Sequence, residues 1–179
     1  MKIDSLKPSD IAVALALAMV PGASLSALAS ITGRSIGEVH NAIRRLNAGR
    51  LLKPERREVV REPLLKFLQW GMPVAFPAQV GGITRGLATA RVITANKAVG
   101  DEADTMDPAE FVWPDASGPS RGQALIPLYP AAPGAALKDT GFWTLLALVD
   151  LVRVGGAREQ ALALSHLERI LTQERRQLT

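Results

Sequence analysis

Between residues 25 and 46 the small and apolar residues fall in an order that admits few local structures: Leu25-x-x-Leu28-Ala29-x-x-x-Gly33-x-Ser35-x-x-x-Val39-x-x-x-Ile43-x-x-Leu46. Leu25, Leu28 and Ile31 recur at helical spacing and predict a short helix over residues 24–32. Gly33 follows, a residue free to take the left-handed conformation that ends a helix and reverses the chain. Ser35-Ile36-Gly37-Glu38 then has the form of a capping box, in which the serine hydroxyl accepts from the Glu38 amide and the Glu38 carboxylate accepts from the Ser35 amide. A further helix is expected from there to Asn47, stopped at Gly49. Ala29 is small enough to let the two helices cross closely, and Val39, Ile43 and Leu46 anchor the second to the body.

Projected at about 100° per residue, that second helix divides into two faces. Ile36, Val39, Ala42, Ile43 and Leu46 cluster on one side. Gly37, Asn41, Arg44, Arg45 and Ala48 fall on the other, with His40 at the boundary and Arg34 and Ser35 at the entry. Arginine pairs bidentately with guanine and asparagine with adenine, while a glycine near the helix start leaves room for close approach. An ordinary solvated helix face has the same composition. Downstream, residues 51–53, 54–57 and 58–61 read as strand, turn and strand, with Arg56 and Arg57 at the tip between Glu55 and Glu58. Such a tip reaches a phosphate, or its glutamates neutralise it locally; both readings stay open.

These residues resemble the helix-turn-helix of bacterial winged-helix repressors, broadly the MarR-like kind, over residues 8–62. The resemblance implies that the second helix of the motif enters the major groove of double-stranded DNA and that the wing contacts the backbone. Arg34, Ser35, Gly37, His40, Asn41, Arg44, Arg45, Arg56 and Arg57 are then the expected DNA-contacting set. Phe76-Pro77-Ala78 followed by Gly82-Ile83-Thr84-Arg85-Gly86 is similar to a stretch of uncharacterised bacterial winged-helix proteins, with no function attached.

The remainder divides the chain into three expected parts: a DNA-binding domain over residues 1–71, an irregular Pro/Gly-rich and partly β segment over 72–137, and a helical hairpin over 138–179. Residues 8–20 are apolar all round and Ala-rich, which reads as a buried helix despite large residues at every second position. Pro63 starts a helix expected to stop at Gly71. In the middle segment, β-like pieces are expected at residues 90–94, 111–113 and 124–128, residues 81–86 are expected to be loop, and the acidic residues 100–110 a solvated loop. The final hairpin comprises residues 142–152 and a helix from 157 to about 176. Its first helix carries more apolar surface than one neighbour covers, so it is expected to pack on the middle segment or on a second chain as a homodimer. The fold class is mainly α, with a small β content.

Charge and composition limit what this chain does. Residues 1–66 hold eleven Lys/Arg against six Asp/Glu, and residues 67–99 hold three basic and no acidic residues. Residues 100–140 reverse this, with seven acidic against two basic. An anionic partner is drawn first to the N-terminal part. There is no cysteine, which excludes disulfides, thiolate zinc sites and cysteine nucleophiles. His40 and His166 are the only histidines and stand in no HExxH arrangement, so neither a catalytic triad nor a metal site is expected. Residues 101–112 fail as a calcium loop, with Met106 where glycine is required and Val112 where glutamate is. Gly81 to Gly86 lacks the spacing and lysine of a phosphate loop. Trp70, Trp113, Trp143 and Tyr129 are expected to be core or interface anchors. The ten-residue apolar run from Ile11 to Val20 is too short to span a bilayer, and Asp4 and Asp10 argue against a secretory signal. The reading is a cytoplasmic, dimeric, cofactor-free transcriptional regulator, not an enzyme. Its rival is a winged-helix protein-interaction subunit, antitoxin-like or scaffolding, that holds a protein partner.

Overall fold

Two helices with no polar face lie at the centre of the fold. In the computed structural model, which describes residues 5–90 and 111–173, α1 (Pro8–Met19) is buried at every position from Ser9 to Ala18, and α7 (Thr140–Val154) at almost every position from Phe142 to Val152. A helix apolar all round has to be enclosed on all sides. α1 packs against α2 (Leu25–Thr32), α3 (Ile36–Ala48) and α7. α7 is enclosed in turn by α1, α5 (Met72–Ala75), α6 (Ala132–Ala136), α8 (Ala157–Gln173) and β1 (Val80–Thr89). Leu145 and Leu148 are each 1% exposed. The apolar excess that suggested a dimer through this hairpin is therefore covered within the chain, by the middle segment and the N-terminal helices. The fold is mixed α and β, mostly helical with one small sheet among the described residues. Among the described residues no helix is long and apolar enough to cross a membrane.

The helix expected to stop at Gly71 continues past it. α4 (Arg61–Lys66) runs through a π-helical turn (Phe67–Gly71) into α5. Pro73 sits where a regular helix would need its N–H and would press its ring on a preceding carbonyl. The wider π turn, closed by the Met72 amide on the Phe67 carbonyl, absorbs that misfit. Gly71 stays in right-handed helical geometry. Its missing side chain serves packing: a Cβ there would stand 2.6 Å from the Phe67 ring.

The middle segment folds as a three-stranded sheet. β1 pairs antiparallel with β2 (Phe111–Pro114) and with β3 (Ser120–Leu125), and β2 pairs parallel with β3, which closes the sheet on itself. Residues 81–86, expected to be loop, are the body of β1. The strand expected at 111–113 is present, whereas the one expected at 124–128 begins earlier, at Ser120. Residues 91–94, the acidic residues 101–110 and the end of the last helix beyond 173 lie outside the described residues. Closure depends on two glycines: a Cβ on Gly86 would stand 2.0 Å from the Trp113 carbonyl oxygen, and one on Gly118 2.2 Å from the Gly86 carbonyl carbon.

A buried polar cluster ties this sheet to α7. Asp150, 1% exposed, accepts from Thr89 Oγ1 (2.9 Å), Trp113 Nε1 (2.6 Å) and Arg153 (2.7 Å). Arg153 also donates to the Phe76 and Pro77 carbonyls. Burial pushes the Asp150 carboxyl up, against the opposing pull of Arg153 and the other donors. Trp143 donates to the Ala88 carbonyl at 3.0 Å.

Candidate nucleic-acid interface

α2, the turn and α3 follow from local chemistry already written in the chain. Ser24 caps α2 by accepting from the Ala27 amide at 3.1 Å. Gly33 takes φ 64°, the left-handed stop that the turn requires. The capping box at the start of α3 is present, with the Glu38 amide 3.3 Å from Ser35 Oγ and the Ser35 amide 2.9 Å from the Glu38 carboxylate. The Ser35 amide and hydroxyl, both donating to that carboxylate at 2.9 Å, hold the Glu38 carboxyl below its usual range.

The same carboxylate forms an ion pair with Arg34 at 2.7 Å, and the Arg34 guanidinium lies 5.9 Å from the centre of the Tyr129 ring. Tyr129, buried, donates to the Thr32 carbonyl at 2.8 Å, and burial raises its hydroxyl pKa. Arg34 and Ser35 thus hold the turn in shape.

Behind α3, Val39, Ala42 and Leu46 are buried. Arg45 is buried with them: its guanidinium grips Asp10 of α1 through two bonds, Nε to Oδ2 and Nη2 to Oδ1, both 2.7 Å. Asp10 also accepts from the Lys7 amide at 2.8 Å, capping α1. The expectation that Arg45 shares the outward face is corrected here. Its 8% exposure and the fork-to-carboxylate geometry make it the strut between α1 and α3. Ile36 departs in the opposite sense, being 52% exposed rather than packed inward.

Gly37, His40, Asn41, Arg44 and Ala48 form the exposed stripe of α3. A Cβ added at Gly37 would meet nothing within 4 Å, so nothing in the fold itself demands glycine there. Past α3, Leu52 pairs with Val59 in one antiparallel bridge, flanked by Lys53 N to Glu58 O (2.8 Å) and Val60 N to Leu51 O (2.9 Å). This is a minimal hairpin whose tip holds Glu55 at φ 58°. Glu58 forms an ion pair with Lys53, whose hydrogen bond lowers the Glu58 pKa. Arg56 and Arg57 are exposed, and among the described residues neither has a carboxylate as an ion-pair partner. Arg50, exposed and also at positive φ (56°), stands between α3 and the hairpin. It was missed because it follows the helix stop and belongs to neither pattern.

Trp113, Trp143 and Tyr129 are buried, but Trp70 is 71% exposed on the π turn, with Val74 81% exposed four residues on. His166 lies on α8, far along the chain from His40, and among the described residues no cluster of His, Asp or Glu suits a metal ion. No protein family, curated protein or solved structure matches this chain.

Proposed function

We propose that this chain is a winged helix-turn-helix regulator that reads double-stranded DNA with α3 and touches the phosphate backbone with the 51–60 hairpin as its wing. The observation that carries the reading is the exposed stripe Gly37, His40, Asn41 and Arg44, set on a helix anchored from behind by Val39, Leu46 and the Asp10–Arg45 pair. Side chains that read base edges need a rod fixed in place, and α3 is fixed at both ends: by the capping box at its start and by the ion pair near its close. Asn41 and Arg44 stand about one turn apart, at the spacing for adjacent base-edge contacts. Arg45 does not belong to the reading set.

Selection from a random duplex library followed by titration of the recovered site tests this. Asn41→Ala and Arg44→Ala should each cost about 1–3 kcal/mol on that site and relax one base position. Arg56→Ala with Arg57→Ala should weaken binding on all sequences and flatten log K against log salt by about 1–2 units. Recovery of no site, with no duplex binding at low salt, defeats the proposal.

A palindromic site would call for a dimer. With α7 enclosed, the exposed apolar pair Trp70 and Val74 is where we place self-association, and Trp70→Ala with Val74→Ala should then yield a monomer by light scattering. The same pair favours the second reading, a winged-helix subunit that holds another protein. A co-purifying protein partner together with absent DNA binding would select it.

A further inference from the structure

A second concentration of positive charge lies on the sheet, on elements separate from α3 and the hairpin. Arg85 of β1 and Arg121 of β3 are direct partners across the antiparallel register, and both are exposed. Residues so paired point to the same face with Cβ atoms about 5 Å apart, and like charges placed there repel. The next pair on that face, Ile83 and Gln123, is uncharged. Neither arginine has a carboxylate partner among the described residues. Asp115 comes close through its backbone, its amide donating to the Arg85 carbonyl at 3.1 Å. Its carboxylate turns away, to the Ser117 amide (2.8 Å) and hydroxyl (2.7 Å).

Gly86, next to Arg85, packs closely on the backbone of Trp113 and Gly118, which sets the backbone positions of the pair. Each guanidinium presents a planar fork of donors that matches the two free oxygens of a phosphodiester, and two of them share this strand face. The pair sits on an open strand face. Two exposed cations hold a free anion weakly, whereas a duplex presents phosphates in a row and binds through many such contacts together.

We propose that Arg85 and Arg121 together bind a backbone phosphate of duplex DNA, a second anchoring contact beyond α3 and the hairpin. This rests on the DNA-binding reading above. It extends the contact surface from the N-terminal helices to the sheet, and so gives the sheet a part in DNA binding.

The test measures binding of the full chain to a duplex of about 30 base pairs, three helical turns, across a salt series. Arg85→Ala with Arg121→Ala should lower affinity about tenfold near 0.1 M salt and flatten the log K against log salt slope by about 1 unit. Arg85→Lys with Arg121→Lys keeps the charge and should retain most of the slope. Circular dichroism melting should show both variants folded, since the alanine pair relieves like-charge repulsion and the lysine pair leaves it as it was, both on an exposed face. A double alanine variant with the wild-type slope overturns this inference and leaves the α3 reading standing. Wild-type protein that binds no duplex overturns both. A chemical-shift titration with inorganic phosphate separates the sources: tight phosphate binding lost in the alanine variant, with DNA affinity unchanged, overturns the backbone assignment in favour of a small phosphorylated ligand.

Discussion

The Asp10–Arg45 pair offers the sharpest test of how α3 is held. Arg45→Ala removes two charge-assisted hydrogen bonds of 2.7 Å and leaves the Asp10 carboxylate, with a side chain 0% exposed, facing the space the guanidinium filled. Removing one partner of a buried pair costs about 3–5 kcal/mol, because the remaining charge is stranded away from water. Folded domains are stable by about 5–15 kcal/mol, so this loss is large but leaves a measurable folded state. With a urea m-value of about 2 kcal/mol/M, the midpoint should fall by about 2 M, read from the fluorescence of the buried Trp113 and Trp143. Asp10→Ala with Arg45→Met removes both charges. That double variant should recover most of the loss, short by about 1 kcal/mol for the cap that Asp10 gives the Lys7 amide. The coupling between the two sites should then exceed about 2 kcal/mol. The salt dependence of DNA binding should be unchanged in Arg45→Ala, since a guanidinium turned to Asp10 neutralises no phosphate. A stability loss under about 1 kcal/mol, or additive single and double variants, would refute the strut and return Arg45 to the outward face.

Three further outcomes follow from the packing. Leu145→Asp with Leu148→Asp should give no folded protein of any oligomeric state by size exclusion and circular dichroism, since both positions are 1% exposed within one chain; a folded monomer would contradict the enclosure of α7. Gly37→Ala should raise stability by about 0.5–1 kcal/mol, because its Cβ meets nothing, while Gly37→Leu should keep the fold and weaken DNA binding; undiminished binding by the leucine variant would take Gly37 out of the interface. Asp150 has a pKa raised in the fold, so the folded state binds its proton more readily than the unfolded chain and the group's stability contribution falls as pH rises from the ordinary carboxylate range through the raised value. Asp150→Asn should therefore gain on wild type with rising pH across that window, and parallel stability profiles would refute the shift.

What could be read from the chain alone was whatever local chemistry decides. The capping box Ser35-Glu38, the left-handed Gly33 and the inward Val39 and Leu46 need only neighbours within a turn or two, and each stands where spacing placed it. Arg45 falls on the outward side in projection, and the partner that turns it inward lies 35 residues upstream on another helix. Helical projection gives angles and says nothing of what waits at each angle. Glycine misled in the same manner. At Gly71 and through residues 81–86 it suggested a stop and a loop, yet Gly71 serves close approach to the Phe67 ring and Gly86 to the Trp113 backbone. A strand whose partners begin more than twenty residues later, at Phe111 and Ser120, leaves no periodic trace when its buried positions, Gly86, Leu87 and Thr89, do not alternate.

These failures share a cause that bears on function. Arg34, Ser35 and Arg45 were grouped with Asn41 and Arg44 as one polar surface, and the structure divides them by what they hold. Arg34 is taken up by Glu38 and Tyr129, Ser35 by the α3 amide, and Arg45 by Asp10. Each of these contacts fixes the orientation of α3. Gly37, His40, Asn41 and Arg44 remain on the exposed stripe, one of them without a side chain. Base readout along a helix needs few contacts but tight placement, and the residues that brace α3 supply the placement that the proposed readout requires.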